Sequence, residues 1–324
     1  MTRYYSGLFV FVALAALGLI FVLPHITTAV DDPPPLFGIA PPPPGQAPDG
    51  GKSGGGPSGP VGPNVPLAPT ENMALIPAGS FAMGCAAADN ECDSDELPVH
   101  RVTLDAFQMD VHQVTVAEYA QCVSQGACRT PRSPDDGWQE FYTWNRPGLE
   151  NHPVTGVDWN DANTYCRWRN KRLPTEAEFE YALRGRQDGF IFPWGNAPIP
   201  PPRYGNYNDA TLHRTVNREG LLEMFPNYDD GYAGAAPVCS YARNSYGLCD
   251  ISGNVWEWVA DWYGPYSSST ARNPQGPPSG DKRILRGGCW GCPRPSDRNS
   301  VRFATTGDDV FAGFGFRCAR NGGE

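Results

Sequence analysis

The chain has 324 residues, ten cysteines, 37 glycines and 34 prolines, with a formal charge of −10. Its 25 Lys and Arg are scattered, so a phosphate-tracking basic stripe is excluded and nucleic acid is a poor partner. Arg3 precedes an uncharged apolar run over 8–23, followed by the small-residue stretch Thr27-Thr28-Ala29 and by Asp31-Asp32. This pattern reads as an export signal cleaved after Ala29. The run is shorter than the ~20 residues of a typical spanning helix, and if uncleaved it would act as a transmembrane anchor. Residues 1–30 are therefore expected to be a signal peptide or an N-terminal membrane anchor, the segment through which any membrane contact would run. The protein is expected to be exported: periplasmic, envelope-anchored or secreted. Ten cysteines in such a chain point to disulfides.

Residues 31–70 read as a Pro/Gly-rich linker, disordered because it has too little apolar area to offset chain entropy. Gly51-Lys52-Ser53 within it is a false phosphate-loop signal, because position 46 is Gln where that loop needs Gly. Residues 71–324 form one large domain, rich in Trp, Tyr, Gly and Pro. Thr115 with Glu118 makes a capping box for a helix over 116–125, ended by Gly126. Ala162, Tyr165, Cys166 and Arg169 recur at helical spacing over 160–170. Thr175 with Glu178 opens a third helix, closed by Gly185. Short strands are expected at 81–83, 100–104, 284–286, 301–303 and 315–317, joined by ordered loops.

The segment Arg286-Gly-Gly-Cys-Trp-Gly-Cys292 holds two thiols three apart. Cys289 and Cys292 could bind a soft metal, exchange electrons or form a disulfide. Prolines 293 and 295 make a thioredoxin-like helix after them awkward. The five histidines contain no zinc-binding His-Glu-x-x-His, and there is no Gly-x-Ser-x-Gly elbow.

Six stretches taken together carry a family resemblance. They are residues 73–84, residues 170–181, Phe192-Pro-Trp-Gly195, residues 246–258 (Tyr-Gly-Leu-Cys-Asp-Ile-Ser-Gly-Asn-Val-Trp-Glu-Trp), Arg286-Gly-Gly288 and Gly315-Phe-Arg-Cys318. The chain resembles the formylglycine-generating enzyme family, also called sulfatase-modifying factors. The resemblance implies an α+β, C-type-lectin-like fold that is loop-rich with little regular secondary structure. It implies two structural calcium ions. One would take Asn206, Asp230 and the carbonyls of Tyr207 and Tyr232; the other would take Asp250, Glu257 and the carbonyls of Gly253 and Val255. Such oxygen sets suit calcium. The resemblance also implies a Cys166–Cys318 disulfide. The simplest use of the other cysteines is local: Cys85–Cys92, Cys122–Cys128, Cys239–Cys249 and Cys289–Cys292.

Active members of this family oxidise a sulfatase cysteine to formylglycine, using Cu(I) held between two thiolates. Carried onto this chain, the first catalytic cysteine is Cys292 and the second position is Asp297, a hard ligand ill suited to Cu(I). A family serine position is Cys289. Two functions follow as expectations. The first is an exported domain that lacks the oxidase activity and binds a protein or glycan. The alternative is a copper-dependent oxidase acting on a sulfatase through a Cys289/Cys292 site.

Overall fold

The computed structural model describes residues 72–216, 225 and 227–322. The expected linker and N-terminal segment lie wholly outside these residues. Among the described residues no helix is long and apolar enough to cross a membrane. The expected transmembrane anchor and membrane contact are corrected accordingly: the described residues offer neither, and residues 1–30, on which they rested, lie outside the description.

Three small sheets carry the domain. In the first, β4 (Phe107–Asp110) pairs antiparallel with β1 (Met73–Ile76) and with β10 (Ala319–Asn321), so the two ends of the domain meet on one strand. In the second, β3 (His100–Leu104) lies between β2 (Gly79–Met83) and the short parallel β6 (Ala271–Arg272). The third has the order β8 (Phe303–Thr305), β7 (Arg283–Arg286), β5 (Trp256–Trp262), β9 (Phe314–Gly315). β3 alternates buried and less buried residues, the pattern of a sheet with one face in the core. The Trp-Glu-Trp-Val stretch of β5 is buried without alternation, as in a strand covered on both faces.

The helices begin where their capping boxes place them. Thr115 Oγ1 accepts from the Glu118 amide, and Glu118 accepts from the Thr115 amide, opening α1 (Val116–Ser124). Asp158 and Asp161 do the same for α2 (Trp159–Trp168), and Thr175 and Glu178 for α3 (Glu176–Arg184). A fourth helix, α4 (Ala210–Thr215), is capped by Asp209.

Two apolar clusters form the main core. Tyr119, Tyr165, Trp256, Trp258 and Phe316 pack around the Cys166–Cys318 disulfide. Phe81, Met109, Phe179 and Ile284 form the second cluster beneath α3. Buried arginines from the last part of the chain tie these clusters to earlier elements. Arg286 meets Glu180 at 2.5 Å, while Arg298 meets Glu96, Arg302 meets Glu176 and Arg317 meets Glu257, each at 2.7 Å. Full pairing is what makes so many interior charges tolerable.

The expected strand at 301–303 begins instead at Phe303. Arg286 Nη1 donates to the carbonyls of Ser300 and Val301, which withholds that backbone from the ladder. Of the expected strand at 315–317 only Gly315 lies in a strand, β9; Phe316 and Arg317 fall in the gap before β10, and the Phe316 carbonyl accepts from the Val114 amide.

Candidate functional site

The segment after β7 folds back as a tight loop and a short turn of 3-10 helix over Arg294–Asp297. Cys289 and Cys292 are bonded to each other, and both are fully buried. No cysteine among the described residues is free. Trp290, between them, packs on Phe141 at 4.7 Å and on Trp138 at 5.9 Å between ring centres. Asp297 is buried, and neither carboxylate oxygen has a hydrogen-bond partner. Burial pushes its carboxyl well above the usual range, which favours the neutral acid there. Gly288 has φ +78°, and a Cβ there would overlap Asp297 Oδ1, so Gly288 is what lets the acid fit beneath the loop.

Copper does not fit this arrangement. A bridged sulfur pair offers no thiolate, and Asp297 offers hard oxygen where Cu(I) needs sulfur. The segment therefore carries an altered Cys/Asp arrangement at the positions that the family uses for oxidation.

The calcium candidates lie on neighbouring loops. Asn206 and Asp250 are buried, and Oδ1 of each has no hydrogen-bond partner. Asp250 Oδ2 accepts from the Cys239 amide at 2.6 Å, and burial raises its carboxyl. Asp230 accepts from the amides of Tyr207 and Tyr232, each at 2.9 Å. Burial pushes Asp230 up to about 7, with the neighbouring Asp209 adding to the rise. Glu257 differs: Arg317 grips both its oxygens at 2.7 Å, and Gln113 adds a third contact at 3.1 Å. Tyr207 and Val255 are wholly buried, while Tyr232 is at the surface. Gly253 lies against the Asn206 carbonyl so closely that a Cβ would overlap it, which joins the two candidate loops.

Gln113 and Asn254 were not foreseen. Asn254 Oδ1 accepts from Asn206 Nδ2 and the Ala236 amide, and its Nδ2 donates to Gln113 Oε1. This relay spans both candidate calcium loops. The Gly-Asn pair at 253–254 was its one signal in the sequence.

One further group of potential metal-binding side chains gathers among the described residues, Cys85, Asp89 and Cys92. Its two sulfurs are bonded to each other and Asp89 pairs with Arg298 at 2.8 Å, so it acts as a cross-link. Disulfides also join Cys122 to Cys128 and Cys239 to Cys249.

The chain matches the Sulfatase-modifying factor enzyme 1-like domain over residues 61–322. It is 34% identical to a formylglycine-generating enzyme of Streptomyces coelicolor over 291 residues, 78% of this chain and 90% of the relative. It is also 31% identical over 296 residues to an inactive C-alpha-formylglycine-generating enzyme 2 of Bos taurus, covering 78% and 89%. The solved structure of PvdO from Pseudomonas aeruginosa is 28% identical and superposes with a TM-score of 0.57, covering 77% of this chain and 94% of that one. The α+β, loop-rich fold and the sequence agree: this chain is a member of the sulfatase-modifying factor family, the family of the formylglycine-generating enzymes.

Proposed function

We propose that this chain is an exported, non-catalytic member of the family that binds a protein or glycan. The observation that carries this reading is the buried Cys289–Cys292 disulfide beside Asp297. Oxidation of a substrate thiol on Cu(I) needs two thiolates on this segment, and neither is offered. The loop-rich scaffold that remains suits recognition. The test is to add Cu(I), oxygen and a sulfatase-derived cysteine peptide to the native protein. The expected outcome is unchanged peptide. Formylglycine formation that disappears in Cys292→Ser would overturn the reading in favour of a copper oxidase.

We propose further that calcium occupies the Asn206/Asp230 and Asp250/Glu257 loops. Two buried side-chain oxygens without partners support this, since such atoms ordinarily find a donor or a cation. Asn206, Asp230 and Asp250 would supply side-chain oxygen, and the carbonyls of Tyr207, Tyr232, Gly253 and Val255 would complete the sets. Glu257, already held by Arg317, would contribute a shared carboxylate. The ions would staple loops that lack ladder hydrogen bonds and would take no part in chemistry.

A further inference from the structure

Away from the Cys289–Cys292 loop, two cavities of about 560 Å³ and 480 Å³ open on either side of the 273–277 loop and share Gln275 as a wall. Both are of the size that holds small molecules or single units of a polymer. The first is lined by side-chain amides: Asn163, Asn273, Gln275 and Asn321. The second is lined by Trp262 and Tyr266, with Asp261 and His100 among its polar groups.

The fixed charges in both cavities are already balanced. In the first, Arg172 grips both oxygens of Glu178 at 2.7 Å, and Arg272 pairs with Asp105. In the second, Arg302 grips both oxygens of Glu176, at 2.7 and 2.8 Å. A charged ligand would have to compete with these pairs. What remains uncommitted is neutral hydrogen-bonding capacity. The side-chain amides of Asn163 and Gln275 make no hydrogen bond within the described residues. Asp261 is 4% exposed; its Oδ2 accepts from the Glu176 amide at 2.8 Å and its Oδ1 makes no hydrogen bond. Burial and the neighbouring Glu176 push its carboxyl up to about 8, so near pH 7 it is largely an uncharged donor. His100 Nδ1 lies 3.1 Å from the Pro98 carbonyl, an acceptor only, so this nitrogen donates and Nε2 is left to face the cavity. The aromatic rings are held in place: Arg283 lies 3.3 Å above Trp262, and Arg302 lies 4.0 Å from the Tyr266 ring centre.

Amides that both donate and accept, a protonated acid, an imidazole nitrogen and rigid aromatic rings form a set matched to hydroxyl groups and to the C–H faces of sugar rings. A chain of such rings would place successive units on either side of Gln275. We propose that these joined cavities form a groove that binds a neutral glycan chain. This inference rests on the binding-module reading above and names its ligand class and its surface.

The test uses the full native protein with maltohexaose, cellohexaose and chitohexaose as probes, read by saturation-transfer NMR and calorimetry. At least one of them is expected to bind at millimolar or lower concentration. Asn163→Ala with Gln275→Ala should weaken that binding about tenfold, and Tyr266→Ala should weaken it further. The first two substitutions are at half-buried and exposed positions, and unchanged melting would show that the fold is intact. No transfer to any of the three sugars, or binding indifferent to these substitutions, would overturn the proposal. Preferential capture of hexalysine, blocked by the same substitutions, would assign the groove to a basic peptide and overturn it too. Failure here leaves the peptide-oxidation experiment untouched, because a binding module with another ligand would still give no formylglycine.

Discussion

Residues 246–258 and 286–297 are neighbours, joined by backbone bonds from Gly253 to the Gly287 carbonyl at 2.8 Å and from Trp290 to the Asn254 carbonyl at 3.0 Å. They differ in what their side chains offer. The first keeps an oxygen-rich loop with a buried oxygen of Asp250 left open. The second has closed its sulfur chemistry: a disulfide stands where a thiolate is needed, and a buried acid stands where its partner would be. One scaffold thus carries an oxygen-rich loop with an open ligand atom beside a sulfur pair that is bridged. The two loops share a backbone but make separate demands on side chains.

The comparison can be broken first at the covalent link that serves both regions. Cys166–Cys318 closes a span of 152 residues, so the chain-entropy account assigns its loss about 5 kcal/mol. Urea melts of Cys166→Ala/Cys318→Ala should show that loss, and a change below about 1 kcal/mol would break the argument. Next comes Arg317→Leu, which strands the buried Glu257 carboxylate beneath the 246–258 loop. A cost of about 3–5 kcal/mol is expected. Chelation is expected to lower the melting temperature by about 5 °C or more if the open oxygens hold calcium. Asp250→Ala should abolish part of that shift.

Smaller effects sharpen the contrast. Cys289–Cys292 spans only three residues, so opening it as Cys289→Ala/Cys292→Ala should cost only about 2 kcal/mol by the same account. Asp261 gives a pH test. Its folded carboxyl sits at about 8 against 3.8 when exposed, so between these values the folded state holds more protons than the unfolded one. Stability from this group is therefore present at low pH, lost as pH rises from about 4 to 8, and level above that. Asp261→Asn should flatten that part of the melting profile, and an unchanged slope would place the titration elsewhere.

Much of this was legible because local rules governed it. The capping boxes at Thr115 and Thr175 set helix starts correctly, since they depend on residues three apart. β5 escaped notice because its buried Trp-Glu-Trp-Val stretch lacks alternation, and only the sheets on its flanks explain that burial. β1, β4 and β10 were missed for a related reason: each is three or four residues long and gains its partners from distant parts of the chain. Around the site, residue types at 289, 292 and 297 were enough to question copper chemistry. The commitment of Glu257 to Arg317, and the relay through Gln113 and Asn254, depend on contacts over 18 to 144 positions, with the Gly-Asn pair at 253–254 the one local signal.

The late arginines and β10 have a consequence for the order of assembly. Strand β4, the acids Glu96, Glu176 and Glu257, and Cys166 all precede the partners that complete them. A growing chain lacking its last few dozen residues would have a sheet missing its closing strand, interior acids without counter-charges and an unmatched thiol. These closing contacts can therefore form only once residues 298–321 are present.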